Sequence, residues 1–123
     1  MSDPSFFMLY VDNPPSSAAF YSRLLGRDPV EASPTFAMFA LDSGCKLCLW
    51  SRHTVKPEAA GAGGGGETAF ALEGNDAVDA AHAAWKAMGV CILQEPTAME
   101  FGYTFVALDP DNHRLRVFAP GGE

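Results

Sequence analysis

Positive charge is scarce in this chain of 123 residues: 8 lysine and arginine residues stand against 15 aspartate and glutamate residues, a formal charge of −7. That balance repels phosphate backbones, and no basic stripe offsets it, so nucleic acid is not an expected partner. Long apolar runs are missing as well. None approaches the roughly 20 residues that span a bilayer, and the N-terminus has neither the basic nor the apolar region of a secretory signal, so the expectation is a soluble, cytoplasmic protein with no membrane partner. Cysteine is limited to Cys45, Cys48 and Cys91, an odd number without framework spacing, which suits a reducing compartment. Cys45-x-x-Cys48 lacks a second pair, and strand alternation points its thiols to opposite faces. No Ser-His-Asp or Cys-His arrangement can be drawn, and His53, His82 and His113 are scattered over a loop, a helix and a turn, so no catalytic residues are expected.

What the chain does contain is a pattern given twice. Its middle, Gly61 to Gly66, is too poor in side chains to belong to a core and reads as a linker. Before it the alternation predicts strands at Phe6 to Val11, Pro29 to Ala32, Phe36 to Leu41 and Lys46 to Ser51. A helix spans Pro14 to Leu25, with Phe20 and Leu24 four apart and Gly26 as its stop. After the linker come a strand at Thr68 to Leu72 and a helix capped by Asn75 or Asp76, whose Val78, Ala81, Trp85 and Met88 share one face before Gly89. Strands at Val90 to Gln94, Tyr103 to Leu108 and Arg114 to Phe118 complete the second half. Both halves read βαβββ.

A weak internal repeat supports two related modules: Ala40-Leu41-Asp42 recurs as Ala107-Leu108-Asp109, and Leu47-Cys48-Leu49-Trp50 matches Leu115-Arg116-Val117-Phe118. The expected architecture is α+β, one domain over 1–123, with a first module at about 1–52, a linker at about 53–66 and a second module at about 67–120. Neither sheet can bury both faces alone, so the modules should pair around a cleft with their helices outside. Period-two alternation then turns Leu47, Leu49, Leu115 and Val117 under the helices and sends Cys48, Trp50, Arg114, Arg116 and Phe118 toward the cleft. The first strand is apolar on both faces, and such a strand should be covered on both sides. Trp50 reads either as core packing or as a stacking platform for a flat ligand. Other candidate aromatic walls are Tyr10, Phe39, Phe101, Tyr103, Phe105 and Phe118; alternation leaves the facing of the third and seventh strands open.

Asp109-Pro110-Asp111-Asn112-His113-Arg114-Leu115-Arg116-Val117 resembles Asp-Pro-Asp-Gly-Asn/His-x-x-Glu, a hairpin signature of the vicinal oxygen chelate superfamily of glyoxalases, extradiol dioxygenases and antibiotic-binding resistance proteins. Asn112 stands in the place of the usual glycine and can adopt the left-handed conformation the turn demands. Arg116 stands in the place of the glutamate ligand. The resemblance implies a glyoxalase-like fold and maps the family's metal positions onto Phe6, Cys48, Glu67 and Arg116. Phenylalanine has no lone pair and arginine is permanently cationic, so the expectation is no metal and no cofactor, with Glu67 and Arg116 paired or holding a polar group of a ligand.

Phe20-Tyr21, the Leu-x-Leu-Trp50-Ser51 strand end, Glu95-Pro96, Phe101-Gly102-x-Thr104-Phe105 and the Asp109 turn together resemble the phenazine antibiotic-resistance proteins. That likeness implies a homodimer that binds a small planar aromatic ligand without transforming it. The ligand-binding candidates are Trp50, Arg116, Glu67 and Cys48 together with the aromatic walls. The competing expectation is a metal-dependent lyase, isomerase or ring-cleaving dioxygenase of the glyoxalase type, with Cys48 and Glu67 among its ligands.

Overall fold

The computed structural model describes residues 2–61 and 63–121. Along them run β1 (Phe6–Val11), α1 (Pro14–Leu25), β2 (Glu31–Ala32), β3 (Phe36–Ala40), β4 (Lys46–Ser51), β5 (Glu67–Ala71), α2 (Asn75–Ala87), β6 (Cys91–Met99), β7 (Gly102–Leu108) and β8 (Arg114–Pro120). The order is βαβββ twice, a glyoxalase-like α+β fold of two modules. Each module makes its own four-stranded mixed sheet, β1-β4-β3-β2 and β5-β8-β7-β6. In both, the first strand runs parallel to the last and the other pairs are antiparallel. The chain divides into two compact units, Met1–Gly61 and Ala62–Glu123.

Local chemistry sets the helix ends. The Asn13 side chain accepts the Ser16 N–H at 3.0 Å, two prolines fill the first turn of α1, and Gly26 closes it in the left-handed region at φ 67. Phe20 is buried as expected, but its partner is Tyr21, edge-on at 5.1 Å, and Leu24 is only half-buried. The start of α2 departs from expectation. The residue at its cap is Gly74, at φ 89, and no side chain caps the helix. Val78 and Trp85 form its buried stripe, with Trp85 edge-on to Phe70 at 5.7 Å and to Phe105 at 5.4 Å. Met88 falls at the helix's end and stays exposed.

Two further expectations change, at β6 and at β1. The strand β6 runs nine residues through Pro96, which an edge strand tolerates, and its register slips on either side of Gln94. Between β4 and β5, Val55 is buried, and Gly63 lies so close to the Asp111–Asn112 turn that a Cβ would come within 2.6 Å of the Asp111 carbonyl. Ala62, in the middle of the glycine run, lies outside the described residues. Finally, β1 is not covered on both sides, since Phe6, Phe7, Met8 and Tyr10 are each 44–51% exposed. It is an edge strand, and α1 packs across β3 and β4 instead.

Candidate functional site

Two charges meet on the sheet of the second unit. Pairing of β5 with β8 sets Glu67 opposite Arg114, two residues along β8 from Arg116, with Ala69 opposite Arg116. Alternation along β8 buries Leu115, Val117 and Ala119 and leaves Arg114, Arg116 and Phe118 on the other face, as the sequence predicts. There the Arg116 Nε donates to Glu67 Oε1 at 2.7 Å and Nη2 donates to Oε2 at 3.0 Å, a fork-to-fork pair. Nη1 donates to the Thr104 hydroxyl at 3.2 Å, and the guanidinium lies over the Phe101 ring, 5.6 Å from its centroid. Phe101 is in turn edge-on to Phe118 at 6.0 Å. The hydrogen bond from Arg116 holds the Glu67 carboxyl below the usual carboxylate range against the opposing effect of burial, and Glu67 in return raises Arg116 further.

The first unit presents an apolar face in matched rows. Tyr10, Trp50 and Phe36 are in register across β1, β4 and β3, and so are Met8, Cys48 and Met38. Trp50 is partly exposed and meets Phe36 edge-on at 6.2 Å, a cross-strand aromatic pair. Cys48 shares its facing but is fully buried, and that burial, with Glu31 adding to it, pushes the thiol up. It is a weak nucleophile at neutral pH.

Three candidate walls face the helices. Phe39 is fully buried on the opposite face of β3, in register with Leu47 under α1. Phe105 is fully buried against Trp85 and His82 of α2. Tyr103 shares that facing and donates its hydroxyl to Asp79 of α2 at 2.8 Å, which also raises its pKa. It lines a groove of about 370 Å³ with Asn75, Met99, Glu100 and Pro120, a place apart from the Arg116 face. These aromatics serve the helix, because β7 pairs with β8 in a register that puts Phe105 beside Val117 and Thr104 beside Phe118.

Thr104, Arg114 and Gln94 were not among the ligand-binding candidates, although alternation turned Arg114 toward the cleft. Arg114 Nη1 stands 3.6 Å from Glu67 Oε2, making a second cation beside one carboxylate. Gln94 is opposite Val106, which is opposite Arg116, so it belongs to the same face; its Oε1 is buried without a hydrogen-bond partner among the described residues. The facing of Arg114 was legible from alternation, whereas Gln94 is re-aimed by the register slips around it.

The hairpin turn is ordered by Asp109, whose carboxylate accepts the N–H groups of Asp111 and His113, each at 2.8 Å. Asn112 takes the left-handed conformation at φ 66, as its place in the motif requires. The positions that the resemblance assigns to a metal do not fit one. Phe6 offers no donor, Arg116 is a cation, and both oxygens of Glu67 are engaged by it. Among the described residues no three His, Cys, Asp or Glu side chains are grouped to hold an ion, and no helix is long and apolar enough to cross a membrane.

Comparison with known proteins agrees with this fold. The chain is 27% identical to the phenazine antibiotic resistance protein EhpR of Enterobacter agglomerans over 117 residues, 93% of this chain and 89% of that one. It is 61% identical to protein ATC0852 of Agrobacterium tumefaciens, whose solution structure superimposes with a TM-score of 0.90 over 99% of this chain and 100% of that one. A glyoxalase-related enzyme from Fulvimarina pelagi shares the fold at 20% identity, with a TM-score of 0.85 over 97% of this chain and 88% of that one. Residues 4–117 match the Glyoxalase/Bleomycin resistance protein/Dioxygenase superfamily, and the chain belongs to it.

Proposed function

We propose that this protein is a metal-free binding protein that sequesters a planar aromatic antibiotic or related metabolite, acting in the cytoplasm where its free cysteines stay reduced. The observation that carries the reading is the Arg116–Glu67 fork, which puts a hydrogen-bonded ion pair where the superfamily's metal chemistry needs open donors. The likeness to a phenazine antibiotic resistance protein supports it. So do the exposed or half-exposed aromatic surfaces on both sheets, Trp50 with Phe36 and Tyr10 on one, Phe118 with Phe101 on the other. Stacking adds about 0.5–1.5 kcal/mol per ring beyond area burial, enough with an apolar wall for binding near the micromolar range. On the first sheet Trp50 is the proposed stacking platform, and on the second Glu67 and Arg116 are the proposed partners of polar substituents.

Titration with a phenazine tests this through tryptophan fluorescence. Saturable quenching of wild type is expected, and Trp50→Ala should abolish binding measured calorimetrically while the far-ultraviolet circular dichroism stays native. Full-strength binding by the variant would remove Trp50 from the site.

The same reading makes the protein a homodimer. The edge strand β1 exposes Phe6, Phe7, Met8 and Tyr10, and covering that apolar surface with a second copy is favoured by about 25 cal/mol per Å². Light scattering at micromolar concentration should report twice the chain mass, and a strictly monomeric protein would contradict it.

A further inference from the structure

The second unit carries an imbalance that an Arg–Glu pair alone does not explain. On the face away from α2 two guanidinium groups, those of Arg114 and Arg116, stand beside a single carboxylate, that of Glu67. Glu67 engages Arg116 through two short hydrogen bonds and meets Arg114 only at 3.6 Å, so these three groups together carry one net positive charge. The chain as a whole carries −7, which opposes an anion at long range. Two cations beside aromatic neighbours are therefore a local feature rather than part of a general field.

Counting donors locates where an anion would attach. A guanidinium has five N–H groups. Arg116 spends one on Nε and one on Nη2 for Glu67, and one on Nη1 for Thr104. One N–H on each terminal nitrogen remains without a partner among the described residues. The Thr104 hydroxyl can accept because it donates its own proton to the Val117 carbonyl at 2.9 Å. Three hydrogen bonds and the Phe101 ring beneath fix the plane of the guanidinium before any ligand arrives, so little rotational freedom is lost on binding. Two N–H groups on adjacent nitrogens match the two oxygens of a carboxylate.

We infer that the ligand is a planar aromatic acid, whose carboxylate is taken by the free N–H groups of Arg116 with Arg114 balancing its charge, while its ring system lies against Phe118 and Phe101. This rests on the planar-aromatic reading above and narrows it from aromatic molecules in general to anionic ones. Glu67 holds the arginine in place, and the anion is met by the second cation rather than by displacing Glu67.

The test compares two probes of one shape, phenazine-1-carboxylate and phenazine-1-carboxamide, titrated calorimetrically into the wild-type protein at neutral pH. A hydrogen-bonded ion pair predicts that the acid binds at least about tenfold more tightly than the amide. In Arg114→Gln, and in the charge-neutral double variant Arg116→Gln with Glu67→Gln, the ratio of the two affinities should fall to near unity. Thermal melting of each variant confirms that it is folded. Equal affinities in wild type, or a preference that survives both variants, would overturn the inference while leaving aromatic binding intact. Binding of neither probe would overturn the planar-aromatic reading and this inference with it.

Discussion

Arg116 and Glu67 meet edge to edge across β8 and β5, with Nε 2.7 Å from one carboxylate oxygen and Nη2 3.0 Å from the other. The hydrogen bond lowers the carboxyl's pKa from its ordinary value of 4.5, with the charges of Arg116 and Arg114 adding to the effect. A carboxyl whose folded pKa is depressed contributes stability that is complete above the unfolded value and is lost as pH falls through the folded one. Urea unfolding of wild type and Glu67→Gln should show a stability gap near neutral pH that closes as the solution is acidified below 4.5. A gap that persists unchanged in acid would mean that the pair contributes nothing through its charge.

Phe105 and Trp50 separate folding from binding. Phe105 is fully buried between Trp85 and His82, so Phe105→Ala should cost about 3–5 kcal/mol in urea unfolding. Trp50 is partly exposed and loses one edge-on partner, Phe36, so Trp50→Ala should cost about 1 kcal/mol while removing ligand binding. Equal destabilisation by the two would place Trp50 in the core.

Gly102 holds Phe101 in place. It pairs with Pro120 at φ 150, and a Cβ there would collide with the Ala119 carbonyl. Gly102→Ala should lower stability by about 2 kcal/mol or more in urea unfolding, since both the backbone region and the space are wrong for a side chain. A variant as stable as wild type would show that the hairpin adjusts freely.

Gln94 should behave in the opposite way. Its Oε1 is buried and unpaired among the described residues, while Nε2 contacts only the Met99 sulfur at 3.7 Å. Gln94→Met keeps the volume and removes the orphaned acceptor, so the free protein should gain about 1 kcal/mol in urea unfolding. A loss of stability would reveal a partner for that oxygen in solution.

These residues also show what could be seen in the chain before folding. The bounds of β1, α1 and β4 follow from alternation and from the Pro14 and Gly26 punctuation, and the structure agrees with them residue for residue. The facing of Arg116 was legible because Leu115 and Val117 must go under a helix, whereas Glu67 was brought to it by the family's metal positions, as a partner or as a second group for a ligand. Phe39 and Phe105 were not. Around them, Phe36 to Ala40 and Tyr103 to Ala107 are apolar or aromatic at nearly every position, so alternation carries no sign and only the pairing register with β4 and β8 decides. Gln94 was hidden for a related reason: the slips that re-aim it are properties of backbone pairing and leave no mark in side-chain type.

On the proposed reading a flat aromatic molecule is bound without a metal, and calorimetric titration of chelator-treated protein with phenazine-1-carboxylate decides the matter. Saturable binding, with the same affinity before and after chelation, is the predicted result. Binding that appears only when a divalent metal is restored would contradict it.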